Sequence, residues 1–152
     1  MNFEKHYLEL MNVYNNLRKA NEDFLTNNSG PEEFGNLVSL RSTLFDNMDI
    51  IKENLLNELN SVDIAINYNK MDLAEILNEL PNHFPELIYL RNQLAEALQQ
   101  LMVSEKNTSE FINTLYDDLK KQLQYARKSK QTLNAYKPVS GYDGSYFIDS
   151  KK

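Results

Sequence analysis

Apolar residues recur at spacings of three and four along most of the chain, which is the period of an amphipathic helix. The first stripe comprises Phe3, Tyr7, Leu10, Tyr14, Leu17 and Phe24, with polar Asn21 in the one gap of the series. The second comprises Phe34, Leu37, Arg41, Leu44, Met48, Ile51 and Leu55. Gly30 and Pro31 separate the stripes, as expected where one helix ends and another begins. We therefore predict two long helices, the second from about Pro31 to about Asn60.

The third and longest stripe follows two prolines. Asp72 can cap a short helix that Pro81 ends, and Pro85 can occupy the first turn of the next helix. From there one stripe contains Leu87, Arg91, Leu94, Leu98, Leu101, Thr108, Ile112, Leu115, Leu119 and Ala126. No Gly or Pro interrupts it before Pro138, so we predict a helix of about fifty residues, roughly 75 Å long.

These elements predict an all-α fold. A helix of that length does not fit within a compact globule, so we expect an elongated antiparallel helical bundle or coiled coil of three long helices plus one short helix. Val62, Ile64, Ile66 and Tyr68 alternate like a strand, but a strand without a partner forms no sheet, and we interpret this segment as a connector. We assign residues 1–135 to the bundle domain and residues 136–152 to a flexible C-terminal tail.

The predicted tail is unusual for a linker because it is rich in aromatic residues. Tyr142, Tyr146, Phe147 and Ile148 follow the last helix among glycine, serine and charged residues. Exposed aromatics in such a segment commonly anchor a partner or the protein's own groove. We interpret Tyr146, Phe147 and Ile148 as tail anchors. We expect the tail to shield an apolar groove on the last helix, and the alternative is that it grips the partner that binds there.

Composition excludes several kinds of chemistry. The 152-residue chain has no cysteine, which removes disulfides, thiolate metal sites and a cysteine nucleophile. Neither His6 nor His83 has a glutamate three residues before it, as a di-iron bundle requires, and no Gly-x-Ser-x-Gly or glycine-rich phosphate loop is present. We expect no enzymatic activity, no metal and no cofactor. Without a membrane span or signal peptide in the sequence, we expect a cytoplasmic protein.

Charge is distributed unevenly. Residues 1–118 hold 20 acidic and 8 basic residues, for a net charge of −12, whereas residues 119–142 hold six basic residues and no acid. The acidic majority would repel a nucleic acid, and basic residues in a last helical turn complement the helix dipole, so we do not predict a nucleic-acid partner. Arg41 and Arg91 lie within apolar stripes, where we expect each to snorkel or to pair with a glutamate of a neighbouring helix.

The C-terminal half of the longest helix is a candidate partner surface. Its stripe becomes polar near Glu105 and Thr108 and then recovers with Phe111, Ile112, Leu115, Leu119 and Leu123. A helix too long for its own bundle leaves part of its stripe uncovered, and an amphipathic partner helix suits such a face. The alternative is a structural coiled-coil adaptor, or a protein that uses this stripe for a weak homodimer.

The chain resembles flagellar type III export chaperones of the FlgN family and, second, of the FliT family. The resemblance lies in the two-helix start, a long final helix ending in Lys-Ser-Lys-Gln-Thr-Leu-Asn-Ala-Tyr at 128–136, and a tail closing with Asp-Gly-Ser-Tyr-Phe-Ile-Asp-Ser-Lys-Lys at 143–152. It covers the whole chain in architecture and about twenty residues in motif. The length of the chain and its last helix look more like FlgN, and the ending of the chain is shared with FliT-like tails.

The resemblance implies a cytosolic helical chaperone that binds the terminal segment of a late flagellar substrate. The implied partners are hook-filament junction or filament cap proteins, and export gate or export ATPase components. In FlgN-like proteins a tyrosine just beyond the last helix is associated with docking at the export gate. Tyr136 matches that position best, and Tyr142 is a second candidate.

Overall fold

A computed structural model describes residues 2–27, 30–64 and 66–136, and within these residues all regular structure is helical. The α-helices are α1 (Phe3–Thr26), α2 (Pro31–Leu59), α3 (Leu73–Glu79) and α4 (Ile88–Tyr136), with short 3-10 turns at Tyr68–Lys70, Leu80–Asn82 and Pro85–Leu87. The predicted all-α class is therefore confirmed. The second predicted helix matches α2 to within one residue, and the predicted long helix matches the 49-residue α4.

Side chains and prolines fix the helix starts locally. The backbone N–H of Gly30 donates to the Glu33 carboxylate at 2.9 Å, and Pro31 occupies the first turn of α2. At α3, the Asp72 carboxylate accepts from the Glu75 N–H at 2.8 Å, and the Glu75 carboxylate accepts from the Asp72 N–H at 2.9 Å. This reciprocal capping box satisfies two N–H groups that a helix start leaves without a partner. The capping box explains why a helix of only seven residues forms after Asp72.

The chain divides into two compact units, Met1–Ser109 and Glu110–Lys152, and α4 contributes residues to both. In the first unit, α1 and α2 pack antiparallel. The rings of Phe24 and Phe34 lie 6.2 Å apart near the α1–α2 connection, and the His6 imidazole lies 2.9 Å from the Glu58 carboxylate at the other end of the pair. The first part of α4 contacts α1 through side chains, with Arg18 donating to Gln100 at 2.9 Å.

The core of the first unit lies where α1, α2 and α3 meet. Its fully buried side chains are Tyr7, Leu10, Leu17, Leu55, Ile76, Leu77 and Leu80. The Tyr7 hydroxyl donates to the Leu77 carbonyl, which attaches α3 to α1. Val62, Ile64 and Ile66 are partly buried against this core without forming a strand. The interpretation of this segment as a connector is therefore confirmed, and its alternating apolar residues serve to cover the core.

The second unit is described from Glu110 to Tyr136, all of it helical. The helix continues without a break through residues 104–109, where the apolar stripe becomes polar. Within this unit the hydroxyls of Thr114 and Thr132 donate to the carbonyls of Glu110 and Lys128, both at 3.0 Å. Such bonds satisfy these polar side chains on their own helix.

Candidate protein-binding face

Four apolar residues in the second unit lie on one side of α4. They are Leu119, Leu123, Ala126 and Leu133, all of them exposed, and we call this set the leucine face. Their spacings of four, three and seven residues place them in one helical row. The exposed fractions of Leu119, Leu123 and Leu133 are 64%, 53% and 63%. Three large apolar side chains in one row therefore contact water over more than half of their surface.

The five predicted client-binding residues all lie on α4, but they differ in exposure. Leu119 and Leu123 are exposed, as the stripe predicts. Phe111, Ile112 and Leu115 are half-buried, so our expectation of an exposed stripe applies only to its C-terminal part. Leu133 is exposed in the same row and was missed, because Lys130 interrupts the stripe before it.

Only part of the predicted docking segment lies within the described residues. Tyr136 is the last residue of α4, which places it at the helix end rather than just beyond it. Tyr142, Tyr146, Phe147 and Ile148 lie outside the described residues, so their assignment as a second docking candidate and as tail anchors stays a prediction.

Basic residues lie along one edge of the leucine face and on the opposite side of the helix. Lys120, Lys121, Arg127 and Lys128 are exposed, Lys130 is half-buried, and residues 119–136 contain no acidic residue. Lys120 follows Leu119 by one position and Arg127 follows Ala126 by one, so these two cations flank the same edge of the face. Lys121 and Lys128 lie one position further round, on the opposite side of the helix.

A partly buried polar layer crosses the first unit. It consists of Asn21, Arg41, Ser104 and Glu105 from three helices, and we call it the polar layer. Asn21 is fully buried and donates to the Ser104 hydroxyl at 3.1 Å and to the Glu105 carboxylate at 3.2 Å. Arg41 pairs with Glu105, which confirms the predicted pairing with a glutamate of a neighbouring helix. Arg91, the other arginine in a stripe, hydrogen-bonds the neighbouring Asn92 side chain at 3.3 Å.

His6 is a buried contact that sequence reasoning missed. Its side chain is 2% exposed, with Nε2 2.9 Å from the Glu58 carboxylate and Nδ1 3.6 Å from that of Glu9. Glu58 is 52 residues away in sequence, and no local pattern connects the two positions. Among residues 2–27, 30–64 and 66–136 no group of three or more His, Asp or Glu side chains is arranged to hold a metal ion.

The first unit also has an open cleft beside Tyr14, with a volume of about 300 Å³. Glu75, Asn78 and Arg91 contribute polar groups to its lining, and Leu94 contributes apolar surface. Burial raises the pKa of the Tyr14 hydroxyl, and the nearby Asp72 carboxylate raises it further. The hydroxyl therefore stays protonated at neutral pH, where it is a poor base and a poor nucleophile.

No protein-family model matches the chain, and no curated protein and no solved structure is significantly similar to it. None of the helices in the described part of the chain is sufficiently long and apolar to span a lipid bilayer.

Proposed function

We propose that this protein is a flagellar export chaperone that acts in the cytoplasm. It binds an amphipathic terminal segment of a late flagellar substrate, a hook-filament junction or filament cap protein, and delivers it to the type III export gate. The observation that carries the proposal is the leucine face, where Leu119, Leu123 and Leu133 are 53–64% exposed in one helical row. The sequence resemblance to FlgN and FliT chaperones supplies the identity of the client.

The energetics of the leucine face support a helical client. Burying a large apolar side chain completely contributes about 1.5–3 kcal/mol. Leu119, Leu123 and Leu133 still expose more than half of their surface, so their burial offers very roughly 2–5 kcal/mol in total. Rows spaced by three and four residues are what an amphipathic helix contacts when it lies along another helix. A complex of micromolar strength requires about 8 kcal/mol, so the half-buried Phe111, Ile112 and Leu115 would have to contribute as well.

The test of client binding uses the double change Leu119→Ala and Leu123→Ala. The probe is a synthetic peptide with the terminal helical segment of a hook-filament junction protein, and a filament-cap segment serves as the second probe. We expect the variant to lose peptide binding by titration calorimetry while its thermal midpoint stays close to that of the parent. Leu55→Ala is the matched control, because Leu55 is fully buried and its truncation should cost about 2–5 kcal/mol of stability.

Two results would contradict the proposal. A large fall in the thermal midpoint of the double variant would mean that Leu119 and Leu123 belong to a core. Unchanged binding of the peptide would mean that the client sits elsewhere. If neither flagellar segment binds the parent protein at all, the flagellar assignment itself is wrong.

A homo-oligomeric adaptor is the second candidate, since a second copy can cover the same leucine face. Sedimentation at low micromolar concentration separates the two. A self-associating adaptor stays oligomeric there, whereas a client chaperone is mainly monomeric and changes its mass when a flagellar segment is added. Loss of the oligomer in the Leu119→Ala and Leu123→Ala variant would favour the adaptor.

The end of α4 has a separate proposed role in export-gate docking. Tyr136→Ala should leave binding of the flagellar segment unchanged and reduce capture of the isolated export-gate component. Tyr142→Ala is the parallel variant for the second candidate. Removing residues 137–152 should strengthen client binding if the tail shields the leucine face, and weaker binding would instead mean that the tail grips the client.

We also propose that the helices form an elongated antiparallel bundle. The support is the 49-residue length of α4, since a straight helix of that length spans about 74 Å. Small-angle scattering should give a radius of gyration well above the value of about 15 Å expected for a compact chain of this size. A value near 15 Å would refute the elongated arrangement.

A further inference from the structure

The charges beside the leucine face are arranged with the same period as its apolar residues. Lys120 and Arg127 are seven residues apart, as are Leu119 and Ala126, so they form a second row along one edge of the leucine face. Lys130 continues the row of Leu123 itself, seven residues later. The edge and the row therefore present three cations. Residues 119–136 contain no carboxylate, and the nearest acid on that side of α4 is Asp117, one helical turn before Lys120.

We propose that the segment bound on the leucine face is an acidic amphipathic helix, with carboxylates at seven-residue spacing along one edge of its apolar stripe. This inference rests on the proposed function and specifies the chemical class of the client segment. Charge complementarity carries it, because a partner helix that buries Leu119 and Leu123 brings its own edge residues against Lys120 and Arg127. Carboxylates there gain ion pairs, whereas lysines or arginines meet like charge.

Lys130, within the row of the leucine face, adds a requirement on the sequence of the partner helix. It replaces an apolar residue in the row, between Ala126 and Leu133, and a single polar residue in an apolar row commonly specifies register. An acidic residue of the partner opposite Lys130 would fix the position of the segment along α4. A purely apolar partner would bury or displace this ammonium group without compensation.

The chain itself offers matched variants for the test. Lys120→Glu with Arg127→Glu reverses the two edge charges, and Lys121→Glu with Lys128→Glu reverses two charges that are also exposed, on the opposite side of α4. Both pairs change the net charge of the full-length protein by the same amount. A loss of peptide affinity in the edge variant alone therefore indicates local ion pairing, whereas equal losses of affinity in both variants indicate only the overall electrostatic field of the protein.

The probes are three synthetic helical peptides with one shared leucine stripe and either glutamate, glutamine or lysine along one edge. We expect the glutamate peptide to bind full-length protein about tenfold or more tightly than the glutamine peptide, and the lysine peptide to bind weakest. The edge variant should lose about tenfold in affinity for the glutamate peptide and gain affinity for the lysine peptide. The opposite-side variant should change far less. The preference should shrink at 1 M salt, where screening acts over about 3 Å.

The remaining outcomes separate the charge inference from the proposed function and from other occupants of the leucine face. Equal binding of the three peptides, together with tight binding of a flagellar segment, would refute the charge class and leave the proposed function intact. Preference for the glutamate peptide without binding of any flagellar segment would support the charge class and refute the flagellar assignment. Binding to phosphatidylserine vesicles that falls equally in both charge variants would identify a membrane surface as the occupant. A dimer that excludes the glutamate peptide would identify a second copy.

Discussion

Replacing Asn21 by alanine tests whether the polar layer stabilises the first unit. Its side chain is fully buried, donates to Ser104 at 3.1 Å and to Glu105 at 3.2 Å, and accepts from Arg41 at 3.4 Å. Asn21→Ala removes all three contacts and leaves the rest of the layer in place. We expect this variant to be less stable than the parent, by an amount that the remaining contacts determine.

The magnitude follows from what the truncation leaves without a partner. Arg41 keeps its ion pair with Glu105, and the Ser104 hydroxyl keeps its own acceptor, the Leu101 carbonyl at 3.0 Å. No donor of these two residues is orphaned, so the loss is that of the two shorter hydrogen bonds. The bond to the Ser104 hydroxyl contributes about 0.5–1.5 kcal/mol, and the bond to the charged Glu105 carboxylate about 1.5–3 kcal/mol. We therefore expect the free energy of unfolding to fall by about 2–4.5 kcal/mol. The corresponding fall in thermal midpoint is about 2–4 °C for each kcal/mol.

A matched double variant separates hydrogen bonding from packing. Asn21→Leu with Ser104→Ala replaces both partners of one hydrogen bond by apolar groups, which is often nearly neutral. Urea unfolding followed by circular dichroism at neutral pH measures all variants on one scale. Asn21→Ala with unchanged stability would refute the contribution of the polar layer. A double variant less stable than Asn21→Ala would show that the layer matters through shape rather than through hydrogen bonds.

Tyrosine and cap variants provide three more predictions. Tyr7→Phe removes the donor to the buried Leu77 carbonyl and should lower the free energy of unfolding by about 1–3 kcal/mol in the same urea assay. Tyr68→Phe is the control and should be nearly neutral, because the Tyr68 hydroxyl has no hydrogen-bond partner among the described residues. Asp72→Ala removes the cap of α3 and should cost about 1 kcal/mol, and an unchanged urea midpoint would contradict that role. Burial raises the pKa of Tyr7, Tyr14 and Tyr68 above the ordinary value of 10.0. Ionisation of these hydroxyls therefore favours the unfolded protein, so the free energy of unfolding is unaffected by them below about pH 10 and decreases as the pH rises further. Urea midpoints that do not fall between about pH 9 and pH 11 would contradict it.

Local signals explain which parts of the fold the sequence predicts. Gly30 and Pro31 mark the boundary between α1 and α2, and Asp72 marks the start of α3, because caps and prolines act within one helical turn. The pairing of His6 with Glu58 depends instead on how α1 and α2 pack, and periodicity contains no information about which polar residues meet across 52 positions. Arg41 is intermediate. Its place in an apolar stripe predicts a partner, but only packing identifies Glu105.

The leucine face shows the same limit at the candidate site. Periodicity treats Leu115 and Leu119 alike, since both continue one stripe, yet Leu115 is half-buried and Leu119 is 64% exposed. The pattern of a single helix does not encode this difference in exposure. The flanking charges add the information that periodicity lacks, because a partner that covers Leu119 must also face Lys120. In our proposal the apolar row binds a partner helix, and the row of cations beside it favours a helix with acidic residues along its edge.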